Sequence, residues 1–327
     1  MIQKPRKQSY WRIVWKQFRR DRVAVAGLGL VLILFVIALF APLIANDRPL
    51  AASLDGKVMF PIFSKEDSTR WTGGERSVED WAVWPPVRYG PTQIDLGAHL
   101  LPPGGGHWLG TDDRGRDVMA RMIHGTRISL SVGFVAVSIY TVIGIFLGAL
   151  AGFYGGRVDM IISRFIEVMM CFPTFFLILA VLAFLPPSIY NIMIVLGLTG
   201  WTGVARLVRG EFLKQRKIDY VSAAKVVGAS DLRIIFYHIL PNSMAPVLVS
   251  ATFGIAGAIL TESSLAYLGF GVPPPAPSWG EILSQSKQYI DFAWWLTLFP
   301  GAAIFLTVTA YNLVGEGLRD AVDPRLK

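Results

Sequence analysis

A chain of 327 residues that is 53% hydrophobic and 17% charged, with a mean hydropathy of +0.48, is not a soluble globule, whose charged share is about a quarter. Lipid is the expected solvent for most of it. The formal charge of +8 suggests nucleic acid only until it is mapped. It concentrates in residues 1–22 and 206–242, while 46–126 is slightly acidic, the alternation of a polytopic membrane protein.

Residues 1–22 read as a cytoplasmic tail, with Lys4, Arg6 and Lys7 leading an amphipathic stretch at 10–22 that sets Trp11, Trp15 and Phe18 among basic residues. Residues 23–45 are the first span. A signal peptide shares the basic-then-apolar order, but its apolar part is usually ~7–15 residues long and ends at a small-residue cleavage site. This run is long enough to cross a bilayer, so the expectation is an uncleaved anchor with a cytoplasmic N-terminus. Residues 46–126 then form a periplasmic loop. Its Trp71, Trp81, Trp84 and Trp108 suggest packing at the membrane interface or a small folded cap.

The end of that loop, 107–126, reads as a turn and an amphipathic helix with Asp112 or Asp113 near the N-cap. Asp112, Asp113 and Asp117 lack EF-hand spacing, and Arg114 and Arg116 intrude, so a calcium loop is rejected. The glycines at 104–106 have no following Lys-Ser/Thr and cradle no phosphate. Five more spans follow, at 127–153, 161–185, 189–208, 243–265 and 292–315. The first of them is rich in Gly and Ala, which permits close helix packing in lipid. Residues 127–327 thus make a five-helix core within an all-α, six-helix membrane protein. Arg319, Arg325 and Lys327 return the tail to the cytoplasmic side.

Between the fourth and fifth spans, 211–242 is too polar to cross. Within it, residues 219–227 suit a helix, and Gly228 suits the left-handed position that ends one. Ser230 or Asp231 can cap a second helix at 232–240, which Pro241 should stop. Ala223 and Ala224 leave one face of the first helix nearly bare.

No Walker A, GxSxG, HExxH or CxxC pattern is present. His99, His107, His124 and His238 are scattered, so no catalytic or metal site is expected. Cys171, the one cysteine, reads as a packing residue. Intramembrane acids are costly and usually face a partner or a pathway. That makes Glu167 and Glu262 pathway candidates, with Ser263 beside Glu262 and with Phe172 and the kink-forming Pro173. Reaching headgroups from a span's end, or an interhelical contact, are the competing readings.

Ala223-Ala224, then Gly228, then Leu240-Pro241 resemble the EAA loop of permease subunits in binding-protein-dependent ABC importers. Ser222 stands where that family usually has Glu and His238 where it has Ile, with Asp219 or Asp231 as candidates to substitute for the Glu. The stretches LGTDDRGRDVMARMIHGTRISL (109–130), GFYGGRVD (152–159), ESSLAYLGFGVPPPAPSWGEIL (262–283) and EGLRDAVDPRLK (316–327) are similar to the family's dipeptide and oligopeptide importers. ANDRPL (45–50) and WPPVRYG (84–90) resemble the subgroup importing microcin C and longer peptides.

The resemblance implies a MetI-like permease fold in a bacterial inner membrane. It implies pairing with a second homologous permease, two ATPase subunits that hold ATP and Mg, and a periplasmic or lipoprotein peptide-binding protein. The chain itself would carry no cofactor and perform no hydrolysis. ATPase coupling would fall to Asp219, Ser222, Ala223, Ala224, Gly228, Asp231, Arg233, Leu240 and Pro241. An ion-coupled secondary transporter using Glu167 and Glu262 is the alternative, and it predicts matched interruptions in two halves. A membrane enzyme lacks any catalytic cluster.

Overall fold

The computed structural model describes residues 10–54, 57–63 and 81–322. The expectations for Lys4, Arg6, Lys7, the Trp11 side chain, Trp71, Arg325 and Lys327 lie outside the described residues.

Asp21 starts the first membrane helix. Its carboxylate accepts from the N–H groups of Val23 and Ala24 at 2.9 and 3.1 Å, satisfying two donors that a helix start leaves open. Helix α2 (Arg22–Ile44) follows and turns Leu32, Ile33, Val36, Leu39 and Phe40 outward. Ahead of it, α1 (Tyr10–Phe18) packs Val14 and Phe18 against Ala24 and Ala321. Its apolar face is therefore used inside the chain.

The long loop carries a small sheet. Strands β1 (Ala51–Leu54), β2 (Lys57–Met59) and β3 (Ala82–Val83) pair antiparallel in the order β2-β1-β3, with Ala52 opposite Met59 and Ala51 opposite Val83. Helix α3 (Val118–Tyr154) absorbs the separate amphipathic helix expected at 107–126, and its N-cap is Asp117 rather than Asp112 or Asp113. The reason is local. Asp112 is consumed by Arg116, 2.7 Å away, whereas Asp117 keeps its Oδ1 to accept from the Ala120 N–H at 2.7 Å while its Oδ2 faces His107.

The span expected at 161–185 is broken. Helices α4 (Gly156–Met170) and α5 (Thr174–Ala183) meet at an 80° bend, because Pro173 lacks an N–H and disfavours helix at the residue before it. Helices α6 (Ile189–Thr199) and α7 (Trp201–Gln215) run on as one 27-residue span. Along α3, Gly148 and Gly152 meet α7 so closely that an added Cβ would lie 2.5 Å from the Ala205 carbonyl oxygen and 2.5 Å from the Phe212 Cβ, respectively. Such contacts replace hydrophobic drive when the solvent is itself apolar.

After α8 (Asp219–Val226) and the single turn α9 (Asp231–Arg233), a wide π-turn at Ile234–Ile239 leads into α10 (Leu240–Leu265) and a second at Ala266–Phe270. Residues Asp231–Phe270 run as one helical segment, kinked only at Gly269 with φ +93°, so the expected stop at Pro241 is corrected. The Leu240 N–H reaches the Ile235 carbonyl five residues back. Pro241 then falls in the first turn of α10, where a missing N–H costs little. Helices α11 (Trp279–Gln285) and α12 (Trp295–Val322) complete the chain.

α3 sits at the centre, packed by α7, α10, α6 and α2. Its Leu130, Val132 and Ala136 join Ile192, Leu196 and Ile259 in the main core. Among the described residues, five helices are long and apolar enough to cross a membrane, six if the bent pair is one span.

Candidate functional site

The hairpin at 216–242 is held from within. Val221 is fully buried with Phe212, Ile234 and Ile239, and Ala224 packs half-buried on the same cluster. Gly228 ends α8 with φ +84°. Its N–H donates to the Lys225 carbonyl at 2.9 Å, and that of Ala229 donates to Ala224 at 3.0 Å. This pair of bonds is the left-handed helix end that glycine favours. Lys225 places its ammonium 5.4 Å from the Phe153 ring centre.

The hairpin shows large apolar side chains outward among its polar ones. Val226 is 89% exposed and Val227 86%, and Leu232, Phe236 and Tyr237 in the second half of the hairpin are exposed too. Asp219, Ser222, Ala223, Asp231, Arg233 and Pro241 are exposed as well, while Leu240 is half-buried. The small-residue face is therefore split: Ala223 looks out and Ala224 looks in. Sequence reading singled out the alanines and missed Val226-Val227, two β-branched residues at a helix end that the described residues leave exposed. Contiguous exposed apolar surface marks an interaction site.

The root of the hairpin is clamped to the α3–α4 corner. Arg216 Nη1 donates to the carbonyls of Gly152 and Phe153 at 3.2 and 3.3 Å. Arg209 grips the Asp159 carboxylate through two nitrogens, one bond being 2.8 Å. Such paired guanidinium–carboxylate geometry fixes orientation as well as distance. The signal was GFYGGRVD, whose Asp159 and turn glycines carry the corner.

The pathway candidates are not gathered into one site. Glu167 pairs with Arg164 at 2.6 Å, both exposed. Phe172 and Pro173 are exposed at the bend. Glu262 has no accessible surface and accepts from Ser278 Oγ at 2.9 Å and Ser263 Oγ at 3.4 Å. Among the described residues, no hydrogen bond or ion pair joins Glu167 to Glu262, and only the one bent helix pair interrupts a span. Glu262 makes an interhelical contact.

Around it lies a buried ionic lock that the sequence reading did not assemble. Asp112 accepts from the N–H groups of Arg114 and Arg116 at 2.9 Å each and from Arg116 Nε at 2.7 Å. Arg121, 1% exposed, bridges Asp112 to Glu281 of α11. Ser278 caps α11, and Trp279 binds α3 through Ser129 Oγ at 3.2 Å and the Met122 carbonyl at 3.1 Å. Beside the lock, His107 Nδ1 lies 2.8 Å from Asp117. Burial pushes the Asp117 carboxyl up, while the Ala120 N–H and His107 pull against it.

A family model described as binding-protein-dependent transport system inner membrane component matches residues 144–327, and one described as the N-terminal TM domain of oligopeptide transport permease C matches 9–55. The chain is similar to the dipeptide transport system permease protein DppC of Alkalihalophilus pseudofirmus, 38% identical over 98% of this chain and 91% of the relative. It is likewise similar to the inner membrane ABC transporter permease protein YejE of Escherichia coli, 38% identical over 95% and 96%. A third relative, the peptidoglycan transport system permease protein YejE of Agrobacterium fabrum, is 34% identical over 95% and 92%. Among solved structures, the inward-facing MetNI methionine ABC transporter matches with a TM-score of 0.52 at 17% identity, over 63% of this chain and 97% of that one. This last match speaks to the fold alone.

Proposed function

The chain belongs to the family of inner membrane components of binding-protein-dependent transport systems, as a multi-pass permease subunit for peptide transport, and on that premise we propose that its 216–242 hairpin is the lever through which separate ATPase subunits drive import. Two ATPase subunits hold ATP and Mg on the cytoplasmic side, a second homologous permease completes the pore, and a periplasmic binding protein delivers the peptide. The hairpin, both termini and the Gly155 corner face the cytoplasm of a bacterium, and the sheet-bearing loop faces the periplasm. The chain binds no cofactor.

The observation that carries this reading is the exposed Val226, Val227 and Leu232 side chains on a helical hairpin rooted in the core through Val221. A lever needs a sticky outer face and a stiff inner attachment, and small shifts at such a packed junction move whole elements. The cargo is a peptide. The loop stretches 45–50 and 84–90 favour microcin C-like and longer peptides over dipeptides, and the relative named for peptidoglycan transport adds cell-wall peptides as a third class to try.

Proteoliposomes holding the assembled importer test the proposal. Uptake of labelled peptide is expected with ATP and binding protein present, and not from a proton gradient alone. Uptake driven by the gradient without ATPase subunits would overturn it in favour of ion coupling. Competition among dipeptides, longer peptides and cell-wall peptides then ranks the cargo.

A further inference from the structure

The outward face of α1 and the turn after it are strongly basic. Arg12, Lys16, Arg19, Arg20 and Arg22 are all exposed, with Trp15 53% exposed among them. The only acid from residue 10 to residue 45 is Asp21, and its carboxylate is spent on the first N–H groups of α2. An ordinary surface helix would hold lipid through its apolar side. Here that side, Val14 and Phe18, is packed on Ala24 and Ala321. Whatever the outer face meets, it meets with cations and one tryptophan.

Its position says what that is. Only residues 19–21 separate α1 from α2, a reach of at most about 14 Å at full extension. Val23 and Val25, at the very start of α2, are already exposed apolar residues, as are those further along it. The basic face therefore sits within a short tether of where the helix leaves hydrocarbon, at the depth of lipid headgroups. Tryptophan is at home at that depth, and clustered Lys and Arg beside a span attract anionic lipid.

We infer that α1 and the following turn form a site for anionic phospholipid headgroups, with Arg12, Lys16, Arg19 and Arg20 meeting phosphate and Trp15 lying at the interface. Because the apolar side is spent inside the chain, adhesion rests on charge and is sensitive to salt. The inference stands on the membrane topology of the chain and not on its cargo or its ATPase.

The test is native mass spectrometry of the assembled importer released from nanodiscs of equal phosphatidylglycerol and phosphatidylcholine. Retained lipid should be enriched in phosphatidylglycerol. Arg12→Gln, Lys16→Gln, Arg19→Gln and Arg20→Gln together should cut that enrichment by roughly tenfold or more. Release at about 1 M salt, where the Debye length is about 3 Å, should do the same. Replacing the three arginines by lysine should keep it, which guards against a glutamine variant that fails to fold. An unchanged lipid ratio in the glutamine variant overturns the site. Loss of ATPase subunits from that variant with lipid retention intact also overturns it, because the face would then be a protein contact.

Discussion

Arg121 is a cation with 1% of its surface exposed, held between Asp112 and Glu281. Removing one member of a buried ionic set costs about 3–5 kcal/mol, because the others stay buried without a partner. Arg121→Met should therefore lower the melting temperature of the detergent-purified chain markedly and leave α11 loose on α3. An unchanged melting temperature would show that the lock contributes nothing. Glu262 gives the opposite expectation. Its Oε1 accepts from Ser278 Oγ at 2.9 Å, a bond the amide oxygen of glutamine can keep. Ser263 Oγ, which donates to the Ile259 carbonyl at 2.9 Å, can accept from the amide nitrogen in place of its 3.4 Å contact with Oε2. Glu262→Gln should keep both folding and ATP-driven uptake. A well-folded Glu262→Gln importer without transport would give Glu262 the proton-handling role of the ion-coupled reading. At this scale Gly228 was legible, since a helix-ending glycine announces its positive φ. The lock was not, because Asp112 and Glu281 lie 169 positions apart in the sequence and nothing local pairs them.

Among the elements, the α3–α7 contact depends on side-chain size. Gly148 leaves no room for even one more carbon beside the Ala205 carbonyl, and inserting bulk into a packed contact costs about 1–3 kcal/mol or more. Gly148→Leu is expected to separate α3 from α7 and to reduce the amount of folded protein recovered from the membrane. Recovery and melting equal to the native chain would contradict the close approach. The apolar runs revealed that the helices exist and roughly where they lie. Hydropathy missed the start of α3, since its first turns carry Arg121 and His124 and are covered by α11 and the outer loop rather than by lipid. Pro173 forecast a kink and gave a break. Pro241 forecast a break and gave a continuous helical segment, because the π-turn at Ile234–Ile239 shifts the register before the proline and places it where no N–H is missed. The same residue type thus has two outcomes, decided by the turn that precedes it.

Across the whole molecule, α3 ties the two ends together. Its 37 residues span about 55 Å at 1.5 Å per residue. One end carries the lock of Asp112, Arg121 and Glu281, and the other accepts Arg216 at Gly152 and Phe153. On the proposed function, movement of the hairpin is delivered through that clamp to the central helix and reaches the periplasmic lock without an intervening hinge. The bend at residues 171–173 lies off this line, in a span whose Met170, Phe172 and Phe176 are exposed. The central claim is that the hairpin's apolar face seats against the ATPase. A photo-crosslinking amino acid at Val227, in the importer assembled in native membranes, tests it most directly. The account predicts a covalent adduct with an ATPase subunit whose yield changes between the nucleotide-free and ATP-bound states. No adduct in either state, or labelling of residue 227 by a membrane-impermeant reagent added outside intact cells, would contradict it.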